Sequence, residues 1–168
     1  MLLGNQPKTN AHNPLEQHDE WIVQLLSKNQ YVEAYRLLKS EPPQKISTLF
    51  NLAICLFFTK DYESCLRNLD EISTKLQPDL TDDFYINDDL YKKLEGIQYA
   101  NNSYLQGITD KYVQYFSQIV KKNVLRIKID CYWALCKWNK VIELAAPLKG
   151  FNCQNVEDAL SDAQLNTR

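Results

Sequence analysis

"NLAICLFFTKDYESCL", residues 51–66, decides the fold. Apart from Asn51, its first half is apolar without a break, more than one face of a surface helix can use. Thr59, Lys60 and Asp61 then supply a polar turn, and Tyr62 opens a second segment. At ~100° per residue, Leu49, Leu52, Ala53 and Leu56 share one face, while Phe50, Ile54 and Phe57 lie about 80 to 140° around from it. Those three form a second apolar stripe. Beyond the turn, Tyr62, Cys65, Leu66, Leu69 and Ile72 keep helical spacing until Pro78. The stretch is therefore one helical hairpin, and its first helix needs cover on two sides.

The same plan recurs on either side. Trp21, Ile22, Leu25 and Leu26 precede the polar turn "SKNQ"; Tyr31, Ala34, Tyr35, Leu37 and Leu38 follow it until the prolines at 42 and 43. Near the C-terminus Leu125, Ile129, Tyr132 and Trp133 precede the turn "KWN", and Val141, Ile142 and Ala145 follow. An aromatic at the turn, with a small or branched residue three places on, marks each hairpin: Tyr31/Ala34, Tyr62/Cys65 and Trp138/Val141, with a weaker Tyr104/Gly107. The aromatics are spaced by 31, 42 and 34 residues.

Helix-turn-helix units recurring near ~34 residues are the signature of tetratricopeptide repeats, and the chain resembles that family over roughly residues 15 to 150. Ala53 stands where the family packs a small residue between the two helices, Tyr62 opens the second helix, and Cys65 takes its small-residue site. In "GIQYANNSYLQG", Gly96 and Tyr99 match the family's Gly-x-x-Tyr in the first helix of a divergent unit. The fold this implies is all-α, a right-handed stack of three to four helical hairpins (a TPR-like solenoid). A short helix from about Asn155 to Leu165 would cap the open end. Residues 15–168 are expected to form this single repeat domain. Residues 1–14 carry no apolar period and read as a flexible arm, and "KLQPDLTDDFYINDD" at 75–89 reads as an acidic surface loop or the start of a helix.

Composition narrows the function classes. The chain is 45% apolar and 24% charged, as expected of a globular protein. Its formal charge of -2 lacks the basic footprint that would attract nucleic acid or an anionic membrane, so neither is an expected partner. Four Gly and six Pro leave little material for the tight turns of an all-β fold. The start, "MLLGNQPKTNAHNPLEQ", has neither the basic nor the apolar region of a secretory signal, so a cytoplasmic location is expected and "NNS" at 101–103 reads as a chance glycosylation pattern. The apolar run Leu49 to Phe58 is about half the ~20 residues a membrane span needs.

Catalytic signatures are missing. There is no G-x-S-x-G elbow, no Gly-rich phosphate loop and no H-E-x-x-H. Cys55, Cys65, Cys131, Cys136 and Cys153 include no close pair, and the histidines, His12 and His18, both lie near the N-terminus, so buried reduced thiols rather than a zinc site are expected. The aspartates at 79, 82, 83, 88 and 89 lack the spacing, Gly and Glu of a calcium loop. The expectation is a protein that is not an enzyme and carries no metal or cofactor.

In tetratricopeptide proteins the first helices line a concave groove, and groove residues bind extended or helical peptides. The resemblance therefore points the stripe Phe50, Ile54, Phe57 into a groove, with Asp19 and Val23 from the first unit and Arg126, Asp130 and Trp133 from the last. The bland alternative packs the same stripe against neighbouring helices. Family members that clamp a C-terminal carboxylate use a Lys and Asn set, which Asp19, Val23, Phe50, Ile54, Arg126 and Asp130 do not reproduce. The implied function is a non-catalytic adaptor that takes a protein or peptide segment in a partly apolar groove. The same stripe could instead join copies in a homo-oligomer or larger assembly, or hold an unfolded segment as a small chaperone for a secreted protein.

Overall fold

The computed structural model describes residues 14–42, 44–76 and 88–167, and among them there is helix and no strand. Residues 1–13 of the arm expected over 1–14, the prolines at 43 and 78, and most of the acidic stretch 75–89 lie outside the described residues. Three helix pairs carry the architecture: α1 (Pro14–Ser27) with α2 (Tyr31–Leu38), α3 (Ile46–Phe58) with α4 (Tyr62–Lys75), and α7 (Ser117–Ala134) with α8 (Trp138–Ala145). Between the second and third pairs come α5 (Asp89–Tyr99), a 3-10 turn (Asn102–Leu105) and the short α6 (Asp110–Tyr115); α9 (Gln154–Asn166) ends the chain, as the sequence predicts.

The three pairs share one turn. Asn29, Lys60 and Cys136 each adopt positive φ (58°, 63° and 54°) two residues before the second helix. The amide after each reaches back to the first helix: Gln30 N–H to Leu25 C=O, Asp61 N–H to Leu56 C=O, Lys137 N–H to Tyr132 C=O, at 2.9–3.0 Å. This is the Schellman closure, which satisfies the last carbonyls of a helix while reversing the chain. The small residues three places after the turn aromatics, Ala34, Cys65 and Val141, are fully buried where the paired helices meet. Cys65 Sγ lies 3.3 Å from the Ala53 carbonyl, which places the two small residues at one crossing.

Pairs pack on pairs in order: α2 on α3, α4 on α7, and α8 on α9. Lys128 of α7 fixes the second of these contacts, pairing with Asp70 and donating to the Ser73 hydroxyl of α4, each at 2.8 Å. α3 is buried along nearly its whole length, including Ser47, Thr48 and Asn51, and is the central helix of the larger core. A helix that is apolar all round belongs inside. A smaller core joins Ile129, Val141, Ala145 and Leu148 to Val156, Ala159 and Ala163 of α9, and Tyr99 of α5 completes it.

The divergent unit around Tyr99 and Tyr104 does not become a helix pair. After α5 the chain makes its 3-10 turn around Tyr104 and then runs extended through Gln106 (ψ 146°) to Thr109 (ψ 165°). Gly107 sits where a Cβ would lie 2.7 Å from Leu26 Cδ1, so this residue serves close approach to α1 rather than a crossing inside a hairpin.

Candidate functional site

The face on which a groove was expected is occupied by the chain's own segment 102–112. Asn51, on α3, donates from Nδ2 to the Ile108 carbonyl and accepts the Ile108 N–H at Oδ1, both at 2.9 Å. A side-chain amide that satisfies both backbone groups of one extended residue holds that segment as a β-ladder partner would. On one side Gly107 rests against Leu26 of α1; on the other α6 packs on both α3 and α7. Asp110 anchors the start of α6, accepting from the Ser47 hydroxyl and pairing with Lys45 at 2.8 Å, while its N–H donates to Asp19 at 3.3 Å.

Of the two readings of the stripe, packing against neighbouring elements fits Phe50 and Ile54, and a groove surface does not. Phe50 and Ile54 are 0% exposed, because α3 is covered on both apolar faces. Half-buried Phe57 turns to the end of the hairpin, edge-on to Phe58 (5.6 Å between centroids) and Tyr62 (5.9 Å), where Phe58 also stacks on Tyr31 at 4.6 Å. Val23 is half-buried on α1, and Asp19 is half-buried beneath α6. Burial and the nearby Asp110 and Glu41 carboxylates raise the Asp19 pKa, against the pull of Lys45 and the Asp110 amide. For Asp110, burial is outweighed by hydrogen bonds from Lys45 and Ser47, and its pKa falls.

Arg126 and Asp130 are brought together, but inside the protein. Arg126 is 1% exposed. Its guanidinium lies over the Tyr104 ring at 3.9 Å and donates to Asn155 Oδ1 (2.8 Å) and to the carbonyls of Tyr99 and Asn101 (3.1 Å each). These contacts tie α7 to the 3-10 turn and to α9. Burial lowers the Arg126 pKa, opposed by Cys153, Tyr104 and Asp130. Asp130 accepts from the Tyr104 hydroxyl and from Asn155 Nδ2, yet burial still holds its pKa above the ordinary value. Trp133 faces the other way, 43% exposed, with its indole N–H on Asp162 of α9 at 2.9 Å. The eight residues expected to line one groove are thus dispersed: Phe50 and Ile54 in the larger core, Phe57 in the aromatic cluster, Asp19 and Val23 half-buried on α1, Arg126 and Asp130 in one polar network, and Trp133 at the α7–α9 seam.

The four buried thiols are set for packing. Burial pushes Cys55 up to about 11, and the contact with Cys65 at 3.6 Å together with burial drives Cys131 far higher, so neither supplies a thiolate at neutral pH.

One surface was missed by sequence reasoning. Leu90, Leu94 and Ile97, at i, i+4 and i+7 of α5, are 61%, 56% and 65% exposed and form an outward apolar stripe. The helix is started by Asp88, whose carboxylate accepts the Leu90 N–H at 3.0 Å, and anchored at its far end by Tyr99, which packs edge-on to Phe151. Lys122 lies 3.9 Å over that Phe151 ring and donates to the Tyr99 hydroxyl. The helix is thereby fixed at its C-terminal end while its apolar face looks out.

No protein-family model matches the chain, and comparison with curated proteins and with solved structures finds no similar protein. No helix among the described residues is long and apolar enough to cross a membrane.

Proposed function

We propose that this chain is a non-catalytic protein-interaction scaffold, a TPR-like stack of helical hairpins that takes its partner on the outer face of α5. The observation that carries this reading is the Leu90, Leu94, Ile97 stripe. Side chains of this size at helical spacing offer ~1.5–3 kcal/mol each on full burial, before ordering costs, and an amphipathic helix of another protein is the complementary surface. The expected groove is instead structural, because segment 102–112 fills it and holds α1, α3 and α7 in register. Five free cysteines, four of them buried, suit a reducing compartment such as the cytoplasm.

The test pairs sedimentation with affinity capture, using the wild type beside Leu90→Glu/Leu94→Glu/Ile97→Glu. These side chains carry little of the core, so the variant keeps the wild-type circular dichroism and melting temperature. A protein that co-purifies with wild type and is lost from the variant supports the reading. Identical capture by the two proteins overturns it. A wild-type mass that rises with concentration and collapses in the variant assigns the stripe to a second copy of the chain.

A further inference from the structure

A polar junction joins α1 to the loop between α2 and α3. His18 Nδ1 lies 2.9 Å from Glu41 Oε1, and one donor atom from each of His18, Asp19 and Glu41 falls within 4.8 Å of the other two. All three residues are half-buried, and the Glu41 side chain keeps only 10% of its surface. Each carboxylate has a partner outside the triad: Thr48 Oγ1 donates to Glu41 Oε2 at 2.6 Å, and the Asp110 amide donates to Asp19 Oδ2 at 3.3 Å. Such outer partners fix the rotamer of a ligand and leave an oxygen to face inward.

The charge balance points the same way. Asp19, Glu41 and Asp110 crowd one side of α3, and Lys45 is the cation that opposes them. Lys45 is already paired with Asp110, at 2.8 Å. The three carboxylates outnumber Lys45 by two formal charges, which a divalent ion supplies. Tetrahedral zinc sets its nitrogen and oxygen ligands about 3.3 Å apart, so the His18–Glu41 edge is close to size and Asp19 closes the triangle by a small side-chain movement.

We propose that His18, Asp19 and Glu41 form a binding site for a divalent first-row transition metal, with zinc as its natural occupant. An imidazole nitrogen with two carboxylate oxygens favours zinc over magnesium or calcium, and the absence of sulfur from the set disfavours copper(I). On metal binding Nδ1 gives up the proton it shares with Glu41, leaves Nε2–H as the ring donor, and takes the metal in place of the Glu41 contact. Water completes the shell. The ion fastens α1 to the loop between α2 and α3, which makes metal affinity a contribution to folding.

The experiment uses the untagged full chain, stripped of metal, titrated with zinc by calorimetry and melted with zinc or with magnesium. One zinc per chain and a melting temperature raised by zinc but not by magnesium are expected. His18→Gln and Glu41→Gln should each weaken zinc binding at least tenfold while retaining the helical circular dichroism. Cys136→Ser and His12→Gln should bind as wild type. No zinc uptake by wild type, full affinity in His18→Gln, or loss of binding in Cys136→Ser overturns the assignment. If Glu41→Gln does not fold, the half-exposed His18→Gln and the Cys136→Ser control decide it alone.

Discussion

Replacing Asn51 with Ala removes both hydrogen bonds that hold Ile108. Asn51 and Ile108 are both buried, so the N–H and C=O of Ile108 gain no water while the segment stays in place. Each orphaned group costs about 1–3 kcal/mol, or about 2–6 kcal/mol for the pair. A segment that lifts instead recovers water but uncovers Ile108 and part of the Phe50–Ile54 face, at ~1.5–3 kcal/mol per large side chain exposed. The cheaper route sets the outcome, so a loss of about 2–4 kcal/mol is expected in urea unfolding followed by helical circular dichroism. Hydrogen exchange separates the routes: if the segment lifts, the Ile108 amide exchanges at a rate set by local opening while the amides of α3 keep their protection. Asn51→Asp should behave much like Asn51→Ala, because it retains the acceptor for Ile108 N–H but sets a carboxylate against the Ile108 carbonyl. A loss below about 0.5 kcal/mol with unchanged exchange at Ile108 would mean that the double hydrogen bond contributes nothing to holding the segment.

Cys65→Phe forces a ring into the fully buried α3–α4 crossing beside the Ala53 carbonyl and should cost at least ~1–3 kcal/mol by overpacking; a melting curve equal to wild type would remove Cys65 from that crossing. Gly107→Ala places a Cβ 2.7 Å from Leu26 Cδ1 and 3.4 Å from Asn51 Oδ1, and a loss of ~1–3 kcal/mol is expected in the same urea assay. Asp130 tests pH dependence: its folded pKa lies above its unfolded value near 3.8, so the folded state binds the extra proton and wild-type stability rises as pH falls through the folded pKa towards 3.8. Asp130→Asn lacks this gain, so the stability of wild type relative to the variant should be greater at pH 4.5 than at pH 7, and the opposite order in urea melts would contradict the assignment.

The helix pairs were legible because each repeats a local pattern: apolar spacing, a polar turn, an aromatic and then a small residue. The turn conformation was not, since Asn29, Lys60 and Cys136 share no residue type and none is the glycine that usually marks a left-handed cap. Phe50 and Ile54 were recognisable as a second apolar face. What covers them depends on Asn51 meeting a backbone 57 residues away, and periodicity carries no information about such a pairing. Arg126 and Asp130, charged and at helical spacing, read as groove rim; the Tyr104 ring and the Asn155 amide draw them inside. The α5 stripe was present as Leu90, Leu94 and Ile97, but Gly96 and Tyr99 in the same helix match a repeat signature and suggest a hairpin there.

Synthesis proceeds from the N-terminus, and the distance between Asn51 and Ile108 is then also an interval of time. Both helices of the second pair can close over their turn as soon as residues 46–75 have emerged, but their cover is 57 residues behind Asn51. At ~5–20 residues per second, the side of α3 that meets Ile108 stays uncovered for about 3–11 seconds in every new chain. Within that window the nascent protein displays the apolar surface that the finished one conceals, and the holding chaperones of the cell have their opportunity to meet it.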